Sequence, residues 1–525
     1  MIDGEMQAFA LTLDKFLDHA AKWRPDTEVV TAGEGGRTDR VGYAQLRRRG
    51  LRVSGVLAGL GVQPGDRVAT LAWNTRAHIE AWYAIMGMGA VCHTLNPRLT
   101  EAQLAAMVGQ SRARIVIASA DLAPLARRVA ARTPSLERVL TIDAAADANG
   151  AAGDALEPMI AGAVEDAIWG GFDETAPCGL CFTSGTTGAP KGVTYTHRSS
   201  FLHTLRLLQA DVMAITAADS VLAAVPMFHA NAWGLPFAAP AAGAKLVLPG
   251  RDLDGASLAR LINAEAVTVA VGIATVWLGL VEHLEATGGE TPTLSRVIVG
   301  GAPMAPALME RIERRLGVTV QTSWGMTELS PLGVCAPPDD TGRTAQVSGR
   351  PAFGVDLLLT DAEGAPLPEQ RGVEGHLRVR GPAVIERYFG EPDRATDAQG
   401  WFGTGDLARI DMDGDLVITG RAKDLIKSGG EWINPAEIEA VINEHPAISL
   451  AAVIGRPDPK WGERPILVIQ TREAGDVTDE DVLSPLRGRV APWWIPDAII
   501  RLEQMPLAST GKIDKMRLRV DYGGC

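Results

Sequence analysis

Thr183-Ser184-Gly185-Thr186-Thr187-Gly188-Ala189-Pro190-Lys191-Gly192 places three glycines, four hydroxyl side chains and one lysine within ten residues. Glycine lets the backbone turn so that successive N–H groups point at one anion, the hydroxyls add donors, and Lys191 adds positive charge. The apolar run Leu180 to Phe182 reads as a strand that delivers this turn. A flexible Gly/Thr linker is the weaker reading, because the turn ends in Pro-Lys-Gly and has strand-like sequence on both sides. It is not a Walker-type loop either: Pro190, not glycine, immediately precedes Lys191, and Gly192 stands where a Ser or Thr would hold magnesium.

Outward from the turn, short apolar runs alternate with longer amphipathic ones. Arg67–Leu71, Val91–Leu95 and Ile115–Ala118 read as strands, with helical stretches at Ala77–Met88 and Thr100–Val108 between them. The rhythm resumes after Ser220, with strands at Ala244–Leu248, Val267–Val271 and Val297–Val299 and a helix at Ser257–Ala264. This pattern predicts an α/β fold with parallel sheets flanked by helices. From about Val347 the runs become short, alternating and separated by Gly, Pro and Asp, which predicts a β-rich lobe ending near Gly420. Beyond it, a helix at Pro435–Asn443, strands at Ser449–Ile454 and Pro465–Gln470, and a helical stretch at Asp479–Arg489 broken by Pro485 predict a small α+β domain.

A chain of 525 residues implies about two to four such lobes. The net charge of −13 disfavours a nucleic-acid partner, yet it leaves room for a local pocket of N–H groups and cations around a small phosphorylated ligand. The N-terminal stretch carries acids and no uninterrupted apolar core, so no secretory signal is expected. The best apolar run, about Leu235 to Ala244, holds two prolines and stops at Lys245, so no membrane span is expected. Five scattered cysteines, Cys92, Cys178, Cys181, Cys335 and Cys525, fit a reduced, cytoplasmic protein. Cys178 and Cys181 form a CxxC with no second pair. On a strand that odd offset sends the two side chains to opposite faces, so they read as small buried packers.

The glycine-rich turn resembles the signature loop of the adenylate-forming superfamily, which includes acyl-CoA synthetases, peptide-synthetase adenylation domains and beetle luciferases. The same family's other motifs follow in order. Trp324-Gly325-Met326-Thr327-Glu328 resembles the block whose aromatic lies by adenine, whose Thr touches the α-phosphate and whose Glu ligates magnesium. Glu328 is itself a hard oxygen donor suited to that ion. Gly300-Gly301-Ala302-Pro303 is a strand-end turn with space for a flat base. Gly403-Thr404-Gly405-Asp406 resembles the block whose Asp grips the ribose hydroxyls. Asp411, Asp413 and Asp415 mimic a calcium loop, but Gly414 comes too early and Asp413-Gly414 reads as a hairpin turn.

Gly420-Arg421-Ala422-Lys423-Asp424 resembles the family's hinge, with Arg421 on the ribose and Lys423 as the pivot. Lys427-Ser428-Gly429-Gly430-Glu431-Trp432 resembles the loop lining the pantetheine tunnel, and Glu431-Trp432 matches the bacterial medium- and long-chain fatty acid–CoA ligases particularly well. Ser509-Thr510-Gly511-Lys512 resembles the block bearing the catalytic lysine. The resemblance therefore implies an adenylation domain of stacked αβ subdomains plus a β-rich lobe at 1–420, and a mobile α+β domain at 421–525. It implies ATP, Mg2+ held by Thr187 and Glu328, and coenzyme A, in an enzyme whose relatives are often homodimers.

Pro226-Met227-Phe228-His229-Ala230-Asn231-Ala232-Trp233-Gly234 lies where the family builds its acyl pocket, which Gly301 and Gly325 also line. No acid occurs between Val221 and Gly250, so no carboxylate is present there to pair a substrate ammonium, and amino-acid activation is disfavoured. The resemblance gives His229 the role of orienting the substrate carboxylate and Trp233 that of gating the acyl tunnel; a satisfied core histidine and a plain core aromatic are the bland alternatives. Ala274 stands where these relatives usually have Pro, and Trp324 where Tyr is commoner. Trp-Gly-Met-Thr-Glu also resembles ligases for short thioether acids such as 3-(methylthio)propionate. The candidate acids are thus a medium- to long-chain fatty acid, a short thioether acid or an aryl acid. A carrier protein in place of CoA and a non-catalytic adenylate binder are the remaining alternatives. The first is disfavoured by the Gly-Gly-Glu-Trp loop and a chain ending at Cys525 without a carrier, the second by the intact Glu328, Asp406 and Lys512.

Overall fold

The computed structural model describes residues 3–143, 155–183, 190–339, 342–429, 431–472, 477–508 and 511–524. Three sheets organise them. The first runs Arg138–Ile142, Ile115–Ser119, Arg67–Leu71, Val91–Thr94, Pro177–Phe182 and Gly192–Thr196. All neighbours are parallel except the last pair, which is antiparallel. The glycine-rich turn therefore connects the two strands of an edge hairpin. The helix Arg76–Gly87 covering this sheet starts where Thr75 accepts a hydrogen bond from the His78 N–H. Its Gly87 lies under the Trp169 ring, and a Cβ there would come within 2.6 Å of it.

The second sheet has thirteen strands among the described residues. Its parallel half comprises Thr319–Gly325, Arg296–Val299, Val269–Gly272, Ser220–Ala223, Lys245–Leu248 and Glu28–Ala32, with Thr38–Gly42 antiparallel at the outer edge. The β-rich lobe expected from about Val347 is the antiparallel half of this same continuous ladder. Thr319–Gly325 pairs parallel with Arg296–Val299 on one edge and antiparallel with Leu332–Cys335 on the other. The antiparallel half then continues through Val347–Pro351, Leu416–Arg421, Phe402–Ile410, Glu374–Arg380 and Asp356–Thr360. The register slips between Trp324 and Gly325. A bulge of this kind re-aims side chains, and it does so here where the two halves of the sheet meet.

The C-terminal sheet holds Glu431–Ile433, Ile426–Ser428, Gly462–Thr471, Ile448–Asp458 and Ile499–Arg501. It has its own apolar cores, one around Ile438, Val453 and Leu467 and one around Ile454, Ile466 and Leu518. The stretch after Thr478 forms only Asp479–Leu483 before Pro485 turns it into a short 3-10 segment. The chain is thus a large N-terminal α/β domain followed by a small C-terminal α+β domain. No helix among the described residues is long and apolar enough to cross a membrane.

Candidate active site

The bulge places Trp324 against the antiparallel half of the sheet. The six-membered edge of its indole lies on Gly333, where a Cβ would come within 2.7 Å of the ring. That leaves the N–H edge facing Asp406, and Trp324 Nε1 donates to Asp406 Oδ2 at 3.0 Å. Arg421 Nε meets the other oxygen, Oδ1, at 2.6 Å. Asp406 is only 2% exposed. Burial raises its pKa, while Arg421 and the Trp324 hydrogen bond pull it back down.

A second acid lies on the same wall. Glu328 is buried, and Tyr388 donates its hydroxyl to Glu328 Oε1 at 2.9 Å. Burial raises this carboxyl and the tyrosine hydrogen bond lowers it. Tyr195 donates to the Thr327 carbonyl at 2.8 Å, so both residues of the Thr-Glu pair are fixed by a tyrosine. The Tyr388 ring also lies under Lys191, whose Nζ is 4.7 Å from the ring centroid. The base of the glycine-rich turn is closed by Thr183 N–H to the Lys191 carbonyl at 2.9 Å and by Lys191 N–H to Thr183 Oγ1 at 3.3 Å. Ser184, Gly185, Thr186, Thr187 and Gly188 lie outside the described residues, as does Gly430.

From the C-terminal side a short turn, closed by Ala508 N–H to the Lys512 carbonyl, carries Lys512 into the cleft. Gly511 holds φ +81° there, close enough to Ile273 that a Cβ would clash at 2.7 Å. Lys512 Cε comes within 3.9 Å of where a Gly301 Cβ would sit, as does the Trp233 ring. Lys512 keeps an exposed side chain, while protein crowds around its ammonium. The crowding, and then the neighbouring Arg421, push its ammonium down to about 8 against the pull of Asp406. The same ammonium is felt by His229, whose imidazole burial pushes down to about 4, so it is neutral at pH 7. Lys423 sits beside Arg421 in the short turn Ala422–Asp424, and burial and that cation lower its pKa.

The segment before Trp233 has an unusual backbone. Ala230, Asn231, Ala232 and Trp233 hold φ of 44°, 53°, 47° and 52°, a left-handed turn without glycine. Such a turn costs about 1–2 kcal/mol per residue. Complete or near-complete burial of Ala230, Asn231 and Ala232 offsets this. Nearby, Asn74 donates to the Ala223 and Val225 carbonyls and accepts from Met227 N–H. The turn sets the Trp233 ring against Gly300, 3.0 Å from where a Cβ would be. Ala302 and Pro303 are exposed beside it, and Gly325 is pressed against the Pro331 carbonyl, 2.2 Å from where a Cβ would be.

A family model described as AMP-binding enzyme matches residues 17–389, and one described as AMP-binding enzyme C-terminal domain matches residues 437–512. The chain belongs to the AMP-binding enzyme family. It is 38% identical to a 3-methylmercaptopropionyl-CoA ligase of Ruegeria lacuscaerulensis, over 99% of this chain and 98% of that one. It is 39% identical to a medium-chain-fatty-acid–CoA ligase of Ectopseudomonas oleovorans, over 99% and 97%. The ATP-bound structure of MatB from Rhodopseudomonas palustris superposes with a TM-score of 0.86 at 27% identity, covering 98% of this chain and 99% of that one.

In this AMP-binding enzyme the structure brings Trp324, Asp406, Arg421 and Lys512 together, and Glu328 with Lys191. It does not bring the 427–432 hairpin to them. Among the described residues, the hydrogen bonds of Ser428 and Gly429 run to Arg464 and to the Trp461 carbonyl, within the C-terminal sheet. Glu431 and Trp432 are exposed, and Lys427 covers the Trp432 ring at 5.4 Å. Tyr388, Tyr195 and Asn74 went unnoticed in the sequence, since neither charge nor spacing marks them. The cysteines need one correction. Cys178 and Cys181 are buried free thiols, but both join the same core cluster, where strict alternation would have parted them. The strand is irregular between Pro177 and Gly179. The Asp411–Asp415 turn is a hairpin, with Asp411 accepting from the Asp413 and Asp415 N–H groups.

Proposed function

We propose that this enzyme activates a carboxylic acid as its acyl-adenylate at the expense of ATP and transfers the acyl group to coenzyme A. The observation that carries the proposal is the meeting of Lys512, delivered from the C-terminal domain, with the buried Asp406–Arg421 pair and His229 in one cleft. In the first step a carboxylate oxygen attacks the α-phosphorus and the bond to pyrophosphate breaks. Both reactants are anions, so a positioned cation is worth about 10²–10³ in rate. Lys512 and Lys191 are placed to supply that charge, and Asp406 with Arg421 to hold the ribose. His229, neutral at pH 7, can orient the acid by a hydrogen bond without adding charge. In the second step the CoA thiolate attacks the acyl carbon, the carbon–oxygen bond breaks and AMP leaves.

Magnesium fits the residues present. Glu328 offers a hard carboxylate with only one oxygen engaged by Tyr388. No cluster of three acidic, His or Cys ligands stands among the described residues. Glu328 and Thr187 would hold it, and it would neutralise the phosphates. We assign residues 1–420 to the adenylation domain and residues 421–525 to the domain that turns near Lys423, so that Lys512 withdraws and the 427–432 hairpin takes its place.

The acid we favour is a medium- to long-chain fatty acid, because of the 226–234 segment and its lack of acidic residues. The Trp-Gly-Met-Thr-Glu block and the 38% identity to a 3-methylmercaptopropionyl-CoA ligase support a shorter acid, such as a thioether propionate, as the second reading. A panel of straight-chain, thioether and aryl acids assayed for CoA-dependent AMP formation separates them. Preference for eight or more carbons supports the first reading, and preference for a three-carbon thioether acid the second. AMP formation that is independent of CoA for every acid would overturn the thioesterification step.

A further inference from the structure

We propose that Trp324 is a positioning residue for the ribose-binding acid. Its indole N–H fixes the carboxylate of Asp406 so that the acid can accept from both ribose hydroxyls. The inference rests on the adenylating reading above, which gives Asp406 the ribose, and it differs from the role of an aromatic lying beside adenine.

The geometry is specific. Asp406 is 2% exposed and Trp324 9% exposed, so the bond between them is shielded from water. Each carboxylate oxygen already has one charged or N–H partner, Arg421 Nε on Oδ1 at 2.6 Å and Trp324 Nε1 on Oδ2 at 3.0 Å. The Asp406 backbone N–H is tied to Thr404 Oγ1 at 3.1 Å, and Thr404 donates to the Leu377 carbonyl. A carboxylate oxygen has two acceptor sites, so one remains on each oxygen for a vicinal diol. With only Arg421 in place, the group could pivot about the Oδ1 contact; the second tether stops that rotation. Two features aim the indole: the register slip at Trp324/Gly325, and Gly333, against which the Cζ3 and Cε3 edge lies. Phenylalanine keeps the ring and loses the donor. A tyrosine would carry its hydroxyl at the para tip and not where this N–H lies.

The experiment compares wild type with Trp324→Phe in acid-dependent ATP–pyrophosphate exchange, using ATP, 2′-deoxy-ATP and 3′-deoxy-ATP. A site built to accept a hydroxyl discriminates strongly against analogues lacking it. The preference of wild type for ATP in kcat/KM should fall about tenfold in the variant, the loss of one well-placed hydrogen bond. KM for ATP should rise while kcat at saturation and KM for the acid stay within about twofold. Gly333→Ala, which pushes the indole without deleting a polar atom, is the second variant should the first fail to fold, and it should lower the same ratio. Calorimetric binding of AMP against 2′-deoxy-AMP reads the effect without any acid. If wild type exchanges pyrophosphate with no acid, the activation reading fails, but this binding ratio still decides the role of Trp324. A ratio unchanged in a folded variant, with affinity for ribo- and deoxynucleotides falling together, would overturn the proposal.

Discussion

Asp406 and Glu328 stand on the large domain's wall of the cleft, each buried and each held by a hydrogen bond from an aromatic side chain, Trp324 and Tyr388. Lys512 and Lys423 face them from the C-terminal side, both exposed, and neither closes an ion pair among the described residues. Asp406 is thus set in a strand and Glu328 in the 3-10 segment Thr327–Leu329 beside the sheet, whereas Lys512 stands on a separately cored domain. Burying a charge demands partners that stay in place, so the acids are tied down. A cation that must approach and withdraw cannot be tied in this way. On the function proposed above, rigid recognition and movable charge are separated between the two domains.

The largest test of that separation is Lys512→Ala. Adenylation should fall by about 10²–10³, the effect of removing a preorganised charge from the transition state. Thioester formation from pre-made acyl-adenylate should remain within about twofold, because the cation serves only the first half-reaction. Separate single-turnover assays of the two half-reactions give the answer, and equal loss in both would break the division of labour.

The fixed wall is probed by Tyr388→Phe, which keeps the ring under Lys191 and removes the hydroxyl from Glu328. We expect the Mg2+ concentration for half-maximal adenylation to rise about ten- to a hundredfold, the range for losing a hydrogen bond to a charged group. Mn2+ binding to the enzyme–ATP complex, followed by electron paramagnetic resonance, should weaken in parallel. A fall in rate that is the same at all Mg2+ concentrations would mean that the hydroxyl does not orient Glu328.

A smaller effect comes from pH. In the proposed first step Lys512 serves as a cation, and crowding by the protein depresses its ammonium to about 8. A lowered lysine pKa means that the charge is lost as pH rises through that value, so kcat/KM for adenylation should decline above about pH 8. His229, depressed to about 4, stays neutral over this range and adds no limb. Lys512→Arg, permanently charged, should flatten the alkaline limb whatever its absolute rate. A wild-type profile level to pH 10 would contradict the depressed lysine.

The alternating α/β pattern and the C-terminal domain were legible in the sequence because hydrophobic period and helix length carry them. Asp406 and Lys512 were legible because their motifs are local. The Trp324–Asp406 contact was not, since it joins residues 82 apart through the continuity of one sheet. Only the pairing of both edges of Thr319–Gly325 reveals that continuity, and single-strand patterns do not report their neighbours. The left-handed turn Ala230–Trp233 was invisible for another reason. Alanine and tryptophan have no intrinsic preference for positive φ, so burial sets that conformation against local propensity. Tyr388 lies 60 residues from Glu328 and carries no charge that would have marked it.

The central claim is that the acid's own oxygen forms the bond to the α-phosphorus. Turnover with a carboxylic acid labelled with 18O in both oxygens, followed by mass spectrometry of the products, tests it directly. The account predicts one labelled oxygen in AMP and none in pyrophosphate; label in pyrophosphate or inorganic phosphate, with unlabelled AMP, would contradict it.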